Sequence, residues 1–137
     1  MRKSIVRLLT VASLALPGLA LAQAGAAALK AQTSSARGVT IKVTPKNLFG
    51  GVATWEFTVA LDTHSGSLSD DLMKTAQLLD GTGGRHAPLA WEGAPPGGHH
   101  RSGVLRFNPV LPLPQTIELR IDRPGEPEPR SFRWQPR

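Results

Sequence analysis

From Arg37 onward the apolar residues of this chain recur at every second position, run after run, and a chain patterned this way is committed to sheet. In "GVTIKVTP", Val39, Ile41 and Val43 alternate with Thr40, Lys42 and Thr44. In "VATWEFTVAL", Trp55, Phe57, Val59 and Leu61 share one face, and Thr54, Glu56 and Thr58 the other. "TIELRID" sets Ile117, Leu119 and Ile121 against Glu118, Arg120 and Asp122, and "SFRWQ" offers Phe132 and Trp134. Strands of this kind put one face on a core and the other in water. Gly and Pro clusters punctuate them: "NLFGG", "DGTGG", "APPGG", "NPVLPLP" and "RPGEPEP". Each supplies turn geometry or stops a strand from continuing.

The middle of the chain is less regular. "SDDLMKTAQLLDG" opens as a helical turn, with Ser69 able to cap and Asp70 and Asp71 suited to a helix N-terminus. It then runs into Asp80-Gly81, a turn pair, so a strand from about Thr75 to Asp80 is expected. That strand would pair with Arg85–Trp91, which Pro88 marks as an edge. Gly103–Phe107 makes the remaining strand. About seven short strands with hardly any helix predict an all-β fold, an immunoglobulin-like antiparallel β-sandwich over residues 37–137. The chain has no cysteine, so no disulfide holds it and packing must suffice. Trp55 is the expected large aromatic between the sheets.

The first residues speak to compartment. "MRKSIVRLLTVASLALPGLALAQA" carries Arg2, Lys3 and Arg7, an apolar run to Leu16, a Pro17-Gly18 break and then small residues. That is the pattern of a secretory signal peptide over residues 1–22, cleaved after Ala22 or, as second choice, after Ala24. The apolar run is too short and interrupted for a span of roughly 20 residues, which leaves a retained anchor as the weaker alternative. The expected location is periplasmic or secreted. Residues 23–36, "QAGAAALKAQTSSA", have no periodic apolar face and read as a flexible lead-in. The whole chain carries +6, and loss of Arg2, Lys3 and Arg7 leaves 6 − 3, or +3, with basic and acidic residues interleaved. This is not the clustered footprint of a nucleic-acid binder. Arg120, Arg123, Arg130, Arg133 and Arg137 form a weakly basic patch, broken by Asp122, Glu126 and Glu128, which reads as a solvated face or as a contact for anionic partners.

The candidate site lies in two loops. "LDTHSGSLSDD" leaves the strongest strand, and "WEGAPPGGHHR" precedes another. Three of the four histidines stand in them. If both loops lie at one end of a sandwich, His64, His99 and His100 converge, with Asp62 as an oxygen donor. Imidazole and carboxylate suit Zn(II) or Cu(II), whereas Cu(I) would want sulfur, and Met73 is the only sulfur outside the leader. The bland alternative is that these histidines bond carbonyls or carboxylates, and that Asp62 and Thr63 merely close a turn. Neighbouring strand residues face opposite ways, so His99 and His100 both reach one ion only where the backbone is irregular. His86, after a Gly-rich hairpin tip, is expected to be exposed, and Trp91 to be a packing residue. Asp62, His64 and Ser65 contain the residue types of a hydrolytic triad without its spatial roles. No nucleophile elbow is present, and "DGTGGR" lacks the ending of a phosphate loop, so no enzyme is expected.

"LDTHS", "WEG" and "GGHHRSGVLRF" are together similar to a group of small exported bacterial Ig-like domains, in which a T-H-S loop and a G-G-H-H segment occur in the same order. The resemblance covers about residues 37–122. It implies the sandwich fold and puts His64, His99 and His100 on the motif, and it carries no activity with it. The leading expectation is a non-enzymatic binding module for divalent copper or zinc. The competing one is a protein-interaction or envelope-structural domain without metal.

Overall fold

The computed structural model describes residues 29–137, so the expected leader and both cleavage sites lie outside the described residues. The alternating runs form strands of two antiparallel sheets. The first sheet has the order β1-β2-β3-β7-β6, with β1 at Gln32–Ala36, β2 at Val39–Pro45, β3 at Trp55–Thr63, β6 at Ala90–Gly93 and β7 at His100–Phe107. The second has the order β5-β4-β8-β9, with β4 at Ala76–Leu79, β5 at Arg85–His86, β8 at Ile117–Ile121 and β9 at Arg130–Trp134. The fold is all-β, with a single short helix, α1 at Leu72–Thr75, among the described residues.

The face assignments follow the alternation. Ile41, Val43, Trp55, Phe57, Val59, Leu61, Ile117, Leu119 and Ile121 are fully buried, and Phe132 and Trp134 nearly so. Both sheets feed this one core. Phe57 of β3 meets Trp134 of β9 with ring centroids 5.5 Å apart, and Phe107 of β7 edge-on at 5.8 Å. Trp55 is fully buried and satisfies its indole N–H on the Phe49 carbonyl at 3.0 Å.

Among the described residues nine strands stand where seven are expected, for two physical reasons. The run Arg85–Trp91 does not stay in one sheet. Pro88 cannot donate to a ladder, and the chain there leaves β4, where Leu79 faces Arg85, and crosses to β7, where Ala90 faces Arg106. The other addition is β1, inside the segment read as lead-in. It pairs with β2 across the two-residue Arg37-Gly38 turn, and the Gln32 side chain clamps the Arg133 backbone of β9, accepting its N–H at 3.1 Å. The helix is capped by Asp71 rather than Ser69: the Asp71 carboxylate accepts the Met73 N–H at 3.1 Å.

The antiparallel registers fix the two ends. The start of β2, the end of β3 and the start of β7 lie together, since Val39 faces Thr63 and Asp62 faces His100. Arg130, at the start of β9, bonds the Ala36 and Val39 carbonyls, which brings the second sheet to the same end. No helix among the described residues is long and apolar enough to cross a membrane.

Candidate functional site

The two histidine-bearing loops share this end. The ladder between β3 and β7 continues past the strands: Thr63 N–H donates to the His99 carbonyl at 2.9 Å, and Leu68 N–H to the Gly98 carbonyl at 3.0 Å. Gly97 N–H returns to the Leu68 carbonyl at 2.8 Å. Gly97 and Gly98 adopt φ of +118° and +72°, so the turn into His99 needs backbone that side chains resist. Within the other loop, the Thr63 hydroxyl lies 3.0 Å from the Gly38 carbonyl and 2.6 Å from that of Ser65, and it accepts the Ser65 N–H at 3.2 Å. Thr63 is therefore the residue that folds the T-H-S turn, with His64 left exposed at its apex.

His100 opens β7 on the outward face, where its Nδ1 hydrogen-bonds the Asp62 carboxylate across the strand pair. Both groups are exposed, and His99 and His64 are exposed beside them. Asp62 thus holds a histidine instead of standing as a separate oxygen donor. Among the described residues, no group of three or more His, Cys, Asp or Glu side chains comes within reach of one ion. His86 belongs to the other sheet. It is half-buried rather than free in solvent, and its Nε2 lies 3.0 Å from the Asp80 carboxylate. Asp80 also accepts from Thr82 and Gly84, so "DGTGG" is a carboxylate-organised turn. The His86 bond first, then those from Thr82, hold the Asp80 carboxyl well below its ordinary range.

The residue the sequence reading passes over is Arg101. It lies 1% exposed among the apolar core residues and points inward from β7. Its guanidinium donates to the carbonyls of Leu68 at 3.1 Å, Asp70 at 2.7 Å and Ala94 at 3.4 Å, clasping both loops from beneath. Room for it comes from the absence of two side chains. Gly93 and Gly103 face each other across β6 and β7, and a Cβ on Gly103 would stand 2.7 Å from the Glu92 carbonyl and 2.8 Å from the Trp91 ring. The Trp91 indole lies there with Arg101 5.7 Å over its ring, and its N–H is satisfied by the Ala94 carbonyl at 3.0 Å. Trp91, Gly93, Arg101 and Gly103 are the structural half of the "WEG … GGHHRSG" pattern.

A second latch continues behind the first. Asp70, 1% exposed, receives a two-pronged contact from Arg123 at 2.7 and 2.9 Å. Arg123 also bonds Glu126 at 2.9 Å, and Glu126 takes two bonds from Arg130 at 2.7 and 2.8 Å. These Arg130 bonds, helped by Arg123, keep the Glu126 carboxyl below its ordinary range although burial pushes the other way. Arg130 ends the chain of contacts on the Ser34 and Ala36 carbonyls of β1, at 3.0 and 2.9 Å.

No protein-family model matches this chain, and neither does any curated protein or any solved structure.

What the end offers chemically is a set of exposed imidazoles on loops whose backbone is held from inside by the buried guanidinium of Arg101. Ser65, the hydroxyl among the triad residue types, is exposed beside His64, and its backbone N–H donates to the Thr63 hydroxyl at 3.2 Å.

Proposed function

We propose that this chain is an exported, non-enzymatic binding module of immunoglobulin-like type, and that its histidine-bearing end takes a divalent copper or zinc ion. The observation that carries the reading is the 2.9 Å bond from Thr63 N–H to the His99 carbonyl, because it ties the T-H-S turn to the H-H segment. With Asp62 on Nδ1, the Nε2 of His100 is left to ligate, and a carboxylate behind a ligating histidine orients the ring and raises its basicity. His64 and His99 are the partners that side-chain rotation would add. A set of imidazoles with water completing the shell suits Cu(II) or Zn(II). The Arg101 clasp supports the reading too, since a binding constellation needs a loop backbone that does not wander.

A second reading is a protein-interaction or envelope-structural domain without metal. It is favoured by the separation of the donors, no three of which meet among the described residues. Calorimetry of the processed protein with Cu(II) and with Zn(II) separates the two. Micromolar or tighter binding that is lost in His100→Ala and weakened in Asp62→Asn supports the metal site. Absent heats, or heats that neither variant changes, give the lead to the interaction domain. Export is tested by N-terminal sequencing of envelope-fraction protein, which should begin at Gln23 or Gly25. An intact Met1 on membrane-held protein contradicts it.

A further inference from the structure

The outer face of the second sheet gathers arginines that the sequence scatters. The registers place Arg85 of β5, Leu79 of β4, Glu118 of β8 and Arg133 of β9 in one row across all four strands. Arg120 stands two residues beyond Glu118 on the same face. These side chains line an open groove of about 430 Å³, bordered by Thr116. Three guanidiniums, each with five N–H donors, therefore face one carboxylate. The ion pairs they make are long: a single Arg120 nitrogen, Nη2, lies 3.5 and 3.4 Å from the two Glu118 oxygens, and Arg133 Nη2 lies 3.6 Å from one of them. Arg120 Nε is buried and finds no acceptor. Arg85 enters no ion pair among the described residues. Two of the three positive charges are thus uncompensated within the groove, unlike those of Arg123 and Arg130, which pair closely with Asp70 and Glu126.

We propose that this groove is an anion site for a phosphate ester, with Arg85, Arg120 and Arg133 holding the phosphate and Leu79 lying under the organic part. Guanidinium forks match tetrahedral oxyanions, and several converging forks bind them far better than one. The volume exceeds what a bare phosphate fills and accommodates a sugar- or glycerol-sized group. Glu118 is the internal competitor. Burial opposes its ionisation, but the Ser131 hydroxyl and the charges of Arg120 and Arg133 keep its carboxyl below the ordinary range, so the carboxylate occupies the arginines until an anion with more charge displaces it. The groove lies on the sheet that does not carry the His64 and His99-His100 loops, and the proposal stands apart from the metal reading.

The test follows backbone amide shifts of the processed protein during titration with inorganic phosphate and with glycerol phosphate. A parallel arm measures co-sedimentation with phosphatidylcholine vesicles with and without phosphatidylglycerol. The ester should move the amides of Leu79, Thr116 and Arg120, and bind more tightly than inorganic phosphate. Arg85→Gln with Arg133→Gln should weaken it about tenfold or more, and Glu118→Gln should tighten it. Sedimentation with the anionic vesicles alone makes the ester a lipid headgroup; binding of the free ester without sedimentation makes it a soluble or sugar-borne one. Shifts that are absent, spread over the surface, or unchanged in the double arginine variant overturn the proposal. Arg85 and Arg133 lie at the rim, so loss of fold in the double variant is not expected, and an unchanged thermal melt checks that.

Discussion

Arg101→Met removes the clasp while keeping much of the side chain's volume, and its cost can be worked out carbonyl by carbonyl. Leu68 O keeps the Gly97 N–H at 2.8 Å, and Ala94 O keeps the Trp91 indole N–H at 3.0 Å. Only Asp70 O, bonded at 2.7 Å, loses the partner it has among the described residues. An orphaned buried carbonyl costs about 1–3 kcal/mol. Loss of the guanidinium over Trp91 adds about 0.5–1 kcal/mol. Against this, a buried charge disappears whose Nε has no acceptor, and an apolar replacement recovers part of that desolvation. The net expectation is a loss of about 2 kcal/mol, a large share of the about 5–15 kcal/mol that holds a domain of this size. Urea unfolding followed by tryptophan fluorescence should show a lower midpoint at unchanged slope. Hydrogen exchange should show faster opening at the Leu68 and Gly97 amides, which the clasp keeps in register. A loss below about 0.5 kcal/mol with both amides equally protected would refute the view that Arg101 holds the loops.

Other perturbations read other parts of the account. Trp55→Ala should cost about 3–5 kcal/mol in the same urea experiment, as a fully buried aromatic with a satisfied N–H; a loss under about 1 kcal/mol would mean that the ring is not in the core. Gly103→Ala forces a Cβ to within 2.7 Å of backbone on β6, and about 1–3 kcal/mol of overpacking should appear as a lower melting temperature; an unchanged melt contradicts the close approach of β6 and β7. The folded-state pKa of Glu126 lies below its ordinary 4.5, so the stability it contributes is complete above that pH and is lost as pH falls through the folded value. Melts taken from about pH 7 down to about pH 2 should therefore fall less steeply in Glu126→Gln than in the wild type, and parallel curves would show that this carboxylate carries none of the acid sensitivity.

The core was legible because its signal is local. Trp55, Phe57, Val59 and Leu61 alternate strictly, and a one-residue slip would expose all four, so the pattern has only one way to fold. β1 was not legible because "QTSSA" has no apolar face; its strand geometry comes from pairing with β2 and from the Gln32 and Arg130 contacts to distant residues. The split of Arg85–Trp91 was half legible. Pro88 announced an edge, but nothing local says that the two halves join edges of different sheets. At the candidate site, the histidines are legible because imidazole is the side chain of metal chemistry. Arg101 could have been found by counting inward from Phe107 through Leu105 and Gly103, which puts an arginine on the buried face. The Asp70–Arg123–Glu126–Arg130 chain joins residues up to 53 apart in a single pair, and only the fold brings them together.

The central claim is that the His64 and His99-His100 loops form one divalent-ion end. Paramagnetic broadening of the histidine ring resonances by substoichiometric Cu(II) tests it most directly, because His86 sits on the other sheet against Asp80 as an internal control. The account predicts that His100 broadens first, joined by His64 or His99, while His86 stays sharp, and that Asp62→Asn delays the loss at His100. Equal broadening of all four rings, or His86 disappearing first, would contradict it.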